Sequence, residues 1–291
     1  MSEAPRSTGA GIAAVVLTVT GFSWGFILIK AIPLPPPVLA FWRVLGGACF
    51  LGAVALILRV RWPRPRLVAV AGVTFAAHQL VFIAATKLTS VAIVTTIGAT
   101  QPLLVLMVSR PLVGERADPR LYVASLTALG GVALVVLGAA HDASRSTAGD
   151  LLAVGNVILF TGYFLAAKRA RLAGAPTLTF TAGFLLCALP VIAVAMLLWT
   201  GAEAPRGGRE LGLLAVLVLG PGNGHLLLNW AHTRVTAALA SLVLALVPML
   251  SSVWAWAVLG ESFTWKHAAG IALVVLSIEA GRRIEMAERA R

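Results

Sequence analysis

Acidic side chains are scarce in this sequence: there are 11 Asp and Glu among 291 residues, and none lies deep in an apolar run. Charged residues of both signs make up only 12% of the chain, against roughly a quarter in a soluble domain. An ordinary water-soluble domain is therefore excluded. The missing deep carboxylates also argue against proton exchange for cationic drugs. That chemistry needs a buried acid that alternates between proton and substrate. Cysteine is nearly absent: Cys49 and Cys187 both sit in apolar runs and read as small buried hydrophobes, not as a disulfide or a metal site. No "GxxxxGK[ST]", no "HExxH" and no deep aspartate pair occurs. ATP-driven transport and intramembrane hydrolysis thus lack their motifs, and no cofactor or metal is expected. The apolar run after "MSEAPRSTGAG" is too long for a signal-peptide core and lacks a cleavage pattern, so it reads as a first spanning helix.

Hydrophobic residues, at 59%, come in continuous blocks of roughly twenty, the length a helix needs to cross about 30 Å of hydrocarbon. Continuity argues against a β-barrel, whose strands alternate. Ten spans are expected, at about 11–32, 36–58, 67–86, 88–110, 119–140, 150–170, 176–199, 211–232, 235–259 and 265–281. The connecting loops are short, so no soluble catalytic domain fits. The net charge of +12 reads as membrane topology, not nucleic-acid binding. Of 23 Lys and Arg, 16 fall on the side holding both termini and 6 on the other, with Arg43 inside a span. Both termini are then expected in the cytoplasm of a multi-pass protein of the cell (inner) membrane.

The sequence repeats itself. "QPLLVLMVSRPLVGER" (101–116) aligns without a gap on "VPMLSSVWAWAVLGES" (247–262) at an offset of 146. Pro102 falls on Pro248, Gly114 on Gly260, and Glu115 on Glu261. A weaker echo pairs "GGVALVVLG" (130–138) with "AGIALVVLS" (269–277) at offset 139. With five spans per copy, an odd number, the second copy crosses the membrane in the opposite sense. The expected fold is all-α integral membrane, with ten transmembrane helices as two five-helix inverted-topology repeats. Such repeats are typical of secondary transporters.

With "SWGFILIK" (23–30), which ends on Lys30, the arginine of "FWRVLGG" (41–47) and the doubled proline-to-"GE" blocks, the chain resembles EamA-type permeases of the drug/metabolite transporter superfamily. The resemblance covers residues 11–138, a first five-helix repeat, and 150–281, a second. It implies a substrate cavity between the halves and export of amino acids, metabolites or related small solutes. The second half departs from the pattern, with Ala182 standing near where Arg43 stands in the first.

Polar groups inside spans are costly and need a reason. His78 and Gln79 fall mid-span, and their mates at offset 146 are Gly224 and His225. Gln101 precedes Pro102. Span 8 carries "GPGNGHLLLNW" (220–230), where Pro221 and Gly222 predict a bend that turns Asn223, His225 and Asn229 towards the site. Trp24 and Tyr163 lie deeper than interface anchors, at a depth where they could stack on a solute. Together these are the candidate solute-binding residues, with Pro102, Pro221, Gly222 and Pro248 as kinks or hinges. Each carries a structural alternative: a histidine bonded to a neighbouring helix, a pure proline kink, plain aromatic packing. Lys30, Glu115 and Glu261 read as structural, at helix ends. Arg43 lies about six residues, or roughly 9 Å, from the outer edge of its span. It reads as snorkelling or bonding to a helix carbonyl, with a substrate carboxylate as the other option.

The leading class is a secondary transporter moving a small neutral, zwitterionic or anionic solute through a cavity lined by spans 1, 3, 4, 6, 8 and 9. Proton coupling through His78 or His225 and simple facilitated flux both stay open. A lipid flippase or an intramembrane enzyme of the same architecture is the alternative. Oligomeric state is not legible.

Overall fold

The computed structural model describes residues 8–138, 146–259 and 263–289; among these it is helical, with no strand. Glu261 lies outside the described residues. Helix α1 (Thr8–Ala31) stops at "IPLPPP", where prolines remove amide donors and push the preceding residue out of helical backbone. Proline opens α2 (Pro36–Ile57) and α3 (Pro65–Leu88), at a first position that needs no amide donor. The next span is two pieces, α4 (Val91–Gly98) and α5 (Gln101–Val113), followed by α6 (Arg120–Gly138). The second half contains α7 (Thr147–Leu172), α8 (Thr177–Trp199) and α9 (Gly207–Leu219). A 3-10 turn (Pro221–Asn223) leads into α10 (Gly224–Ala231), then α11 (Ala237–Leu244), α12 (Val247–Leu259) and α13 (Trp265–Arg289).

Nine stretches among the described residues are long and apolar enough to cross a membrane. Helix α13 is not one of them, since it carries Lys266 at one end and Glu279, Arg282 and Arg283 near the other. It also runs past residue 281, where the apolar block ends. Glu279 pairs with Arg282 and Arg283 one turn on, both at 2.7 Å, which supports helix where hydrophobicity no longer does.

The repeat recurs in the backbone residue for residue. The Ser90 hydroxyl accepts the Ile93 amide at 3.2 Å to cap α4, and the Thr236 hydroxyl accepts the Leu239 amide at 3.1 Å to cap α11. Helices α4 and α11 each have 8 residues, and α5 and α12 each have 13. Both spans break at the same place, before Gln101 and before Val247. Pro102 and Pro248 thus stand where each span is interrupted. Each is the second residue of the helix that follows the break, a position that needs no amide donor.

Equivalent helices pack against each other in opposite directions. On α6 and α13, Leu137 O accepts from Lys266 Nζ at one end, Gly131 faces Gly270 midway, and Leu121 lies by Gly281 at the other. Gly131 and Gly270 are mates at offset 139, so the weaker echo in the sequence marks where two equivalent backbones touch. Helices α2 and α8 do likewise: Trp42 Nε1 donates to Glu203 O beyond the end of α8, while Trp62, beyond the end of α2, lies by Gly183.

Large apolar side chains such as Leu17, Val70, Met107, Val123, Leu151 and Leu197 are exposed around the bundle, a belt too extensive for a water-facing surface. Cys49 is exposed within that belt and Cys187 half-buried, so neither is the fully buried hydrophobe its neighbours suggested. The reason is angular: an apolar neighbourhood fixes a residue's depth in the membrane, not the side of the helix it occupies.

The α6–α13 contact yields a paired prediction. A Cβ at Gly131 would lie 2.7 Å from Gly270 O and 3.0 Å from Leu273 Cβ, while one at Gly130 meets nothing within 4 Å. Gly131→Ala should cost about 1–3 kcal/mol through overpacking. Gly130→Ala should be neutral or gain up to ~1 kcal/mol of helix propensity. Unfolding of the two purified variants measures the difference, and equal stabilities would contradict the close approach.

Candidate functional site

A cavity of about 110 Å3 sits between the two halves. Space of that order holds several waters or a compact organic solute; an apolar cavity of about 150 Å3 takes one benzene. Its walls come from α1 (Phe22, Gly25, Phe26, Ile29), α3 (His78, Gln79, Phe82), the α4–α5 break (Val94, Thr95, Gly98, Ala99, Gln101), α7 (Asn156, Phe160), the 3-10 turn and α10 (Pro221, His225), and the α11–α12 break (Leu244, Val247, Pro248). These are the six spans expected. Arg43 of α2 adds a seventh element.

The polar groups in this wall make few bonds. Arg43 Nη1 donates to Gln79 Oε1, which tethers α2 to α3. His78 Nδ1 lies 2.7 Å from Asn156 Oδ1 and donates to it when that nitrogen carries the proton. Three buried atoms among the lining residues have no partner: Arg43 Nε, Gln101 Nε2 and His225 Nδ1. Buried polar atoms are rarely left so. The His225 ring is instead caged by aromatic rings, with centroids at 4.8 Å to Phe22, 4.9 Å to Phe75 and 5.5 Å to Tyr163. Gly224 makes the first of these contacts fit, since a Cβ there would lie 2.7 Å from Phe22 Cε1.

Span 8 breaks where "GPGNG" predicts. Helix α9 ends at Leu219, and Gly220 turns the chain at φ −91, ψ −95. The freed groups find partners inside the protein. The Asn223 amide N–H donates to Gly220 O, its side-chain Nδ2 returns to Leu219 O at 3.3 Å, and Gly224 O accepts from Thr18 Oγ1 at 3.1 Å. Repeat symmetry links this last bond to the cavity. Gly224 is the mate of His78, and Thr18 occupies the place in α1 that Asn156 occupies in α7. The same two positions bond in both halves, with different chemistry.

Of the predicted binding residues, His78, Gln79, Gln101 and His225 line the cavity. Among the predicted hinges, Pro221 and Pro248 line it too, Pro102 is buried beside it, and Gly222 stands behind it with Leu217 O 3.0 Å from where its Cβ would be. The other four binding candidates lie off the cavity wall. Trp24 turns away and meets Trp254 with ring centroids 5.3 Å apart. Tyr163 is fully buried behind Phe160 and Phe75, with Asn229 as the polar neighbour of its hydroxyl. Asn229 Nδ2 donates to Thr181 Oγ1 at 3.0 Å, and Asn223 serves the helix break. Arg43 does not snorkel: it is 6% exposed and bonded to a side chain of another helix. Asn156 was missed, although a lone amide in the middle of "VGNVILF" is a readable signal.

One end of the bundle is tied by an ion pair whose cation is buried. Glu115, just past α5, accepts from Lys168 Nζ at 2.7 Å with one oxygen and from the Ala237 amide at 2.7 Å with the other, so it also caps α11. Lys168 donates further to His232 O and Val235 O. Counted among loop charges in the sequence, Lys168 is in fact 1% exposed. Lys30, its counterpart in the first half, is exposed at the end of α1. Among the described residues no three His, Cys, Asp or Glu stand close enough to hold a metal.

A helical bundle belted with apolar side chains around one partly polar cavity is a multi-pass membrane protein with an internal solute-sized site. The EamA-like transporter family matches this sequence twice, over residues 9–137 and 147–279, and the chain belongs to that family. The chain is 28% identical over 250 residues to the uncharacterized transporter YwfM of Bacillus subtilis, covering 82% of this chain and 81% of that one. It is 36% identical over 98 residues to a probable terminal-alkyne amino-acid exporter of Streptantibioticus cattleyicolor, a match spanning 32% of this chain and only 33% of the exporter's length. A solved structure titled "Crystal structure of protein" superposes with a TM-score of 0.77 at 23% identity, covering 96% of this chain and 99% of that one, and so shares the fold.

The ionic tie generates a test of its own. Lys168→Met leaves a carboxylate and two carbonyls without their cation and should cost about 3 kcal/mol. The double variant Glu115→Gln/Lys168→Met should cost less than the two singles together, by about 1–3 kcal/mol. Denaturant titration of the purified proteins measures the cycle; strict additivity would mean the pair is not coupled.

Proposed function

We propose that this protein is a secondary transporter that exports a small organic solute by alternating access between two inverted halves, residues 11–138 and 150–281. One observation carries the reading. A single cavity is walled by equivalent helices of both halves, and two of those spans break at identical positions of the repeat. The opposite packing of α6 on α13, and of α2 on α8, supports opposite senses through the membrane. Helix α13 is then the tenth span. Its charges gather at the ends, and it lies along α6, its own mate.

The excess of Lys and Arg beside the termini supports a cytoplasmic location for both ends, in the cell membrane. In that frame the Glu115–Lys168 tie closes the cytoplasmic end. The cavity, lined by the second halves of α1 and α3 and the first halves of the span-4 helices and α7, is displaced outwards. We read the state as outward-facing. The printed name of the Streptantibioticus relative, an amino-acid exporter, supports outward flux of a small metabolite. His225, aromatic-caged and with an unbonded nitrogen, is the residue through which a proton would couple; His78 is already engaged by Asn156.

Reconstitution in proteoliposomes tests the proposal. Flux of labelled amino acids and metabolites, with counterflow, is expected for at least one solute. Flux of none, together with no solute shifting thermal stability, would overturn it. Within the working transporter, Pro221→Ala/Gly222→Ala should restore a straight helix at the cavity wall and slow flux at least about tenfold, a barrier change of roughly 1.4 kcal/mol. Unchanged flux would make the break a packing feature with no part in the cycle.

A further inference from the structure

We propose that Arg43 forms an oxyanion subsite in the cavity, and that the solute is anchored there by a carboxylate while any amino group it carries is dispensable. This rests on the transporter reading above and adds the chemistry that selects the solute.

The first observation is an uncompensated charge. Arg43 is 6% exposed, and its one bonded partner is Gln79, which is neutral. Gln79 orients the guanidinium but cannot balance its charge. Among the cavity-lining residues there is no Asp or Glu. A buried cation in a low-dielectric wall calls for an anion, and this chain does not supply one there. The planar guanidinium fork matches a carboxylate in geometry as well as charge.

The second observation is the set of unpaired donors. Arg43 Nε has no partner, and neither does Gln101 Nε2, which belongs to a residue 3% exposed in the lining of the same cavity. The third is access. A Cβ at Gly222 would lie 3.9 Å from Arg43 Nε, at van der Waals distance, so the broken helix packs next to that edge of the guanidinium, itself part of the cavity lining. Beyond these groups the wall is largely aromatic, with Phe22, Phe26, Phe82 and Phe160 available to a short apolar body. The equivalent place in the second half holds Ala182, so the cavity has one such anchor and takes one carboxylate. An ammonium finds no carboxylate to meet it.

The test uses the full-length purified protein in lipid nanodiscs, with thermal shift and calorimetry. The probes are valine, its amide valinamide, its deaminated analogue 3-methylbutanoate, its decarboxylated analogue 2-methylpropylamine, chloride, and a carboxylate series from acetate to 3-phenylpropionate. The carboxylates of fitting size should bind with or without the amino group, within about threefold of each other, and the amide and amine at least about thirtyfold more weakly. Arg43→Gln should lose carboxylate binding by a similar factor, and Arg43→Lys, which keeps charge but not the fork, by about tenfold. Should Arg43→Gln fail to fold, Gln101→Leu keeps the cation and should weaken carboxylates about fivefold. Four results would overturn the subsite: valinamide or the amine binding as well as valine, chloride binding as tightly as the carboxylates, Arg43→Gln binding carboxylates undiminished, or no carboxylate in the series binding. If proteoliposomes then carried a solute without a carboxylate, the transporter reading would stand while the subsite fell.

Discussion

Every backbone polar group in the hydrocarbon layer must find its partner within the protein, and the rest of this structure depends on that constraint. It forces unbroken helices wherever lipid is the neighbour. Irregular backbone is confined to the interior, where side chains and other helices can serve it. The breaks between α4 and α5, between α11 and α12, and at "GPGNG" all border the cavity between the halves. Asn223 supplies a partner for a carbonyl exposed at the third, and Thr18 ties the helix that follows it to α1. The cavity and the broken helices are thus two views of one solution. Polar backbone can be opened only where there is something polar to meet, and that is also where a solute can be held.

Repetition explains why this solution appears in pairs. Ser90 and Thr236 cap equivalent helices, the following breaks fall at equivalent residues, and Gly131 touches its own mate, Gly270. A residue can touch its mate only near the axis that relates the two halves. The glycines there allow the backbones to come close, and small residues serve helix contacts in membranes where no hydrophobic force drives association. The Glu115–Lys168 tie belongs to the same logic. It joins the loop just past α5 in one half to α7 and to the first turn of α11 in the other, and it ties one end of the bundle.

Much of this was legible because membrane depth and repeat offset are one-dimensional, and a sequence is one-dimensional. Apolar block length located the helices, proline and glycine located the break in span 8, and the offset of 146 located equivalent residues. What was not legible is rotation about each helix axis. Trp24 is two residues from Phe22 and Phe26, yet they face the cavity while it faces Trp254. Successive residues differ by about 100° around the axis, and an almost wholly apolar helix gives no polar face from which to set the phase. Tyr163 and Asn229 were misplaced for the same reason, each at the right depth but behind the wall. Arg43 was misread because its partner Gln79 stands on another helix. Depth alone made the lipid interface look like the nearest polar refuge. Asn156 could have been found by asking which residue of the first spans of the two halves meets His78 or its mate.

The halves share a backbone plan but not a chemistry, and that difference is where selectivity can arise. Span 3 is one straight helix carrying His78 and Gln79, while its counterpart is broken and carries Gly224 and His225. Ala182 stands near the place in the second copy that Arg43 holds in the first. A perfectly symmetric cavity would present each polar group twice and would have no reason to orient a solute one way round. Here the cation and its partner Gln79 come from the first half alone, while the aromatic cage of His225 is contributed by both. The bent span and the lone arginine also meet, since Gly222 lies against Arg43 Nε. A group bound at the guanidinium would therefore press on the one span that is mechanically unlike its mate. Divergence of the two copies has placed the buried cation beside the span whose helix is broken where its mate runs straight.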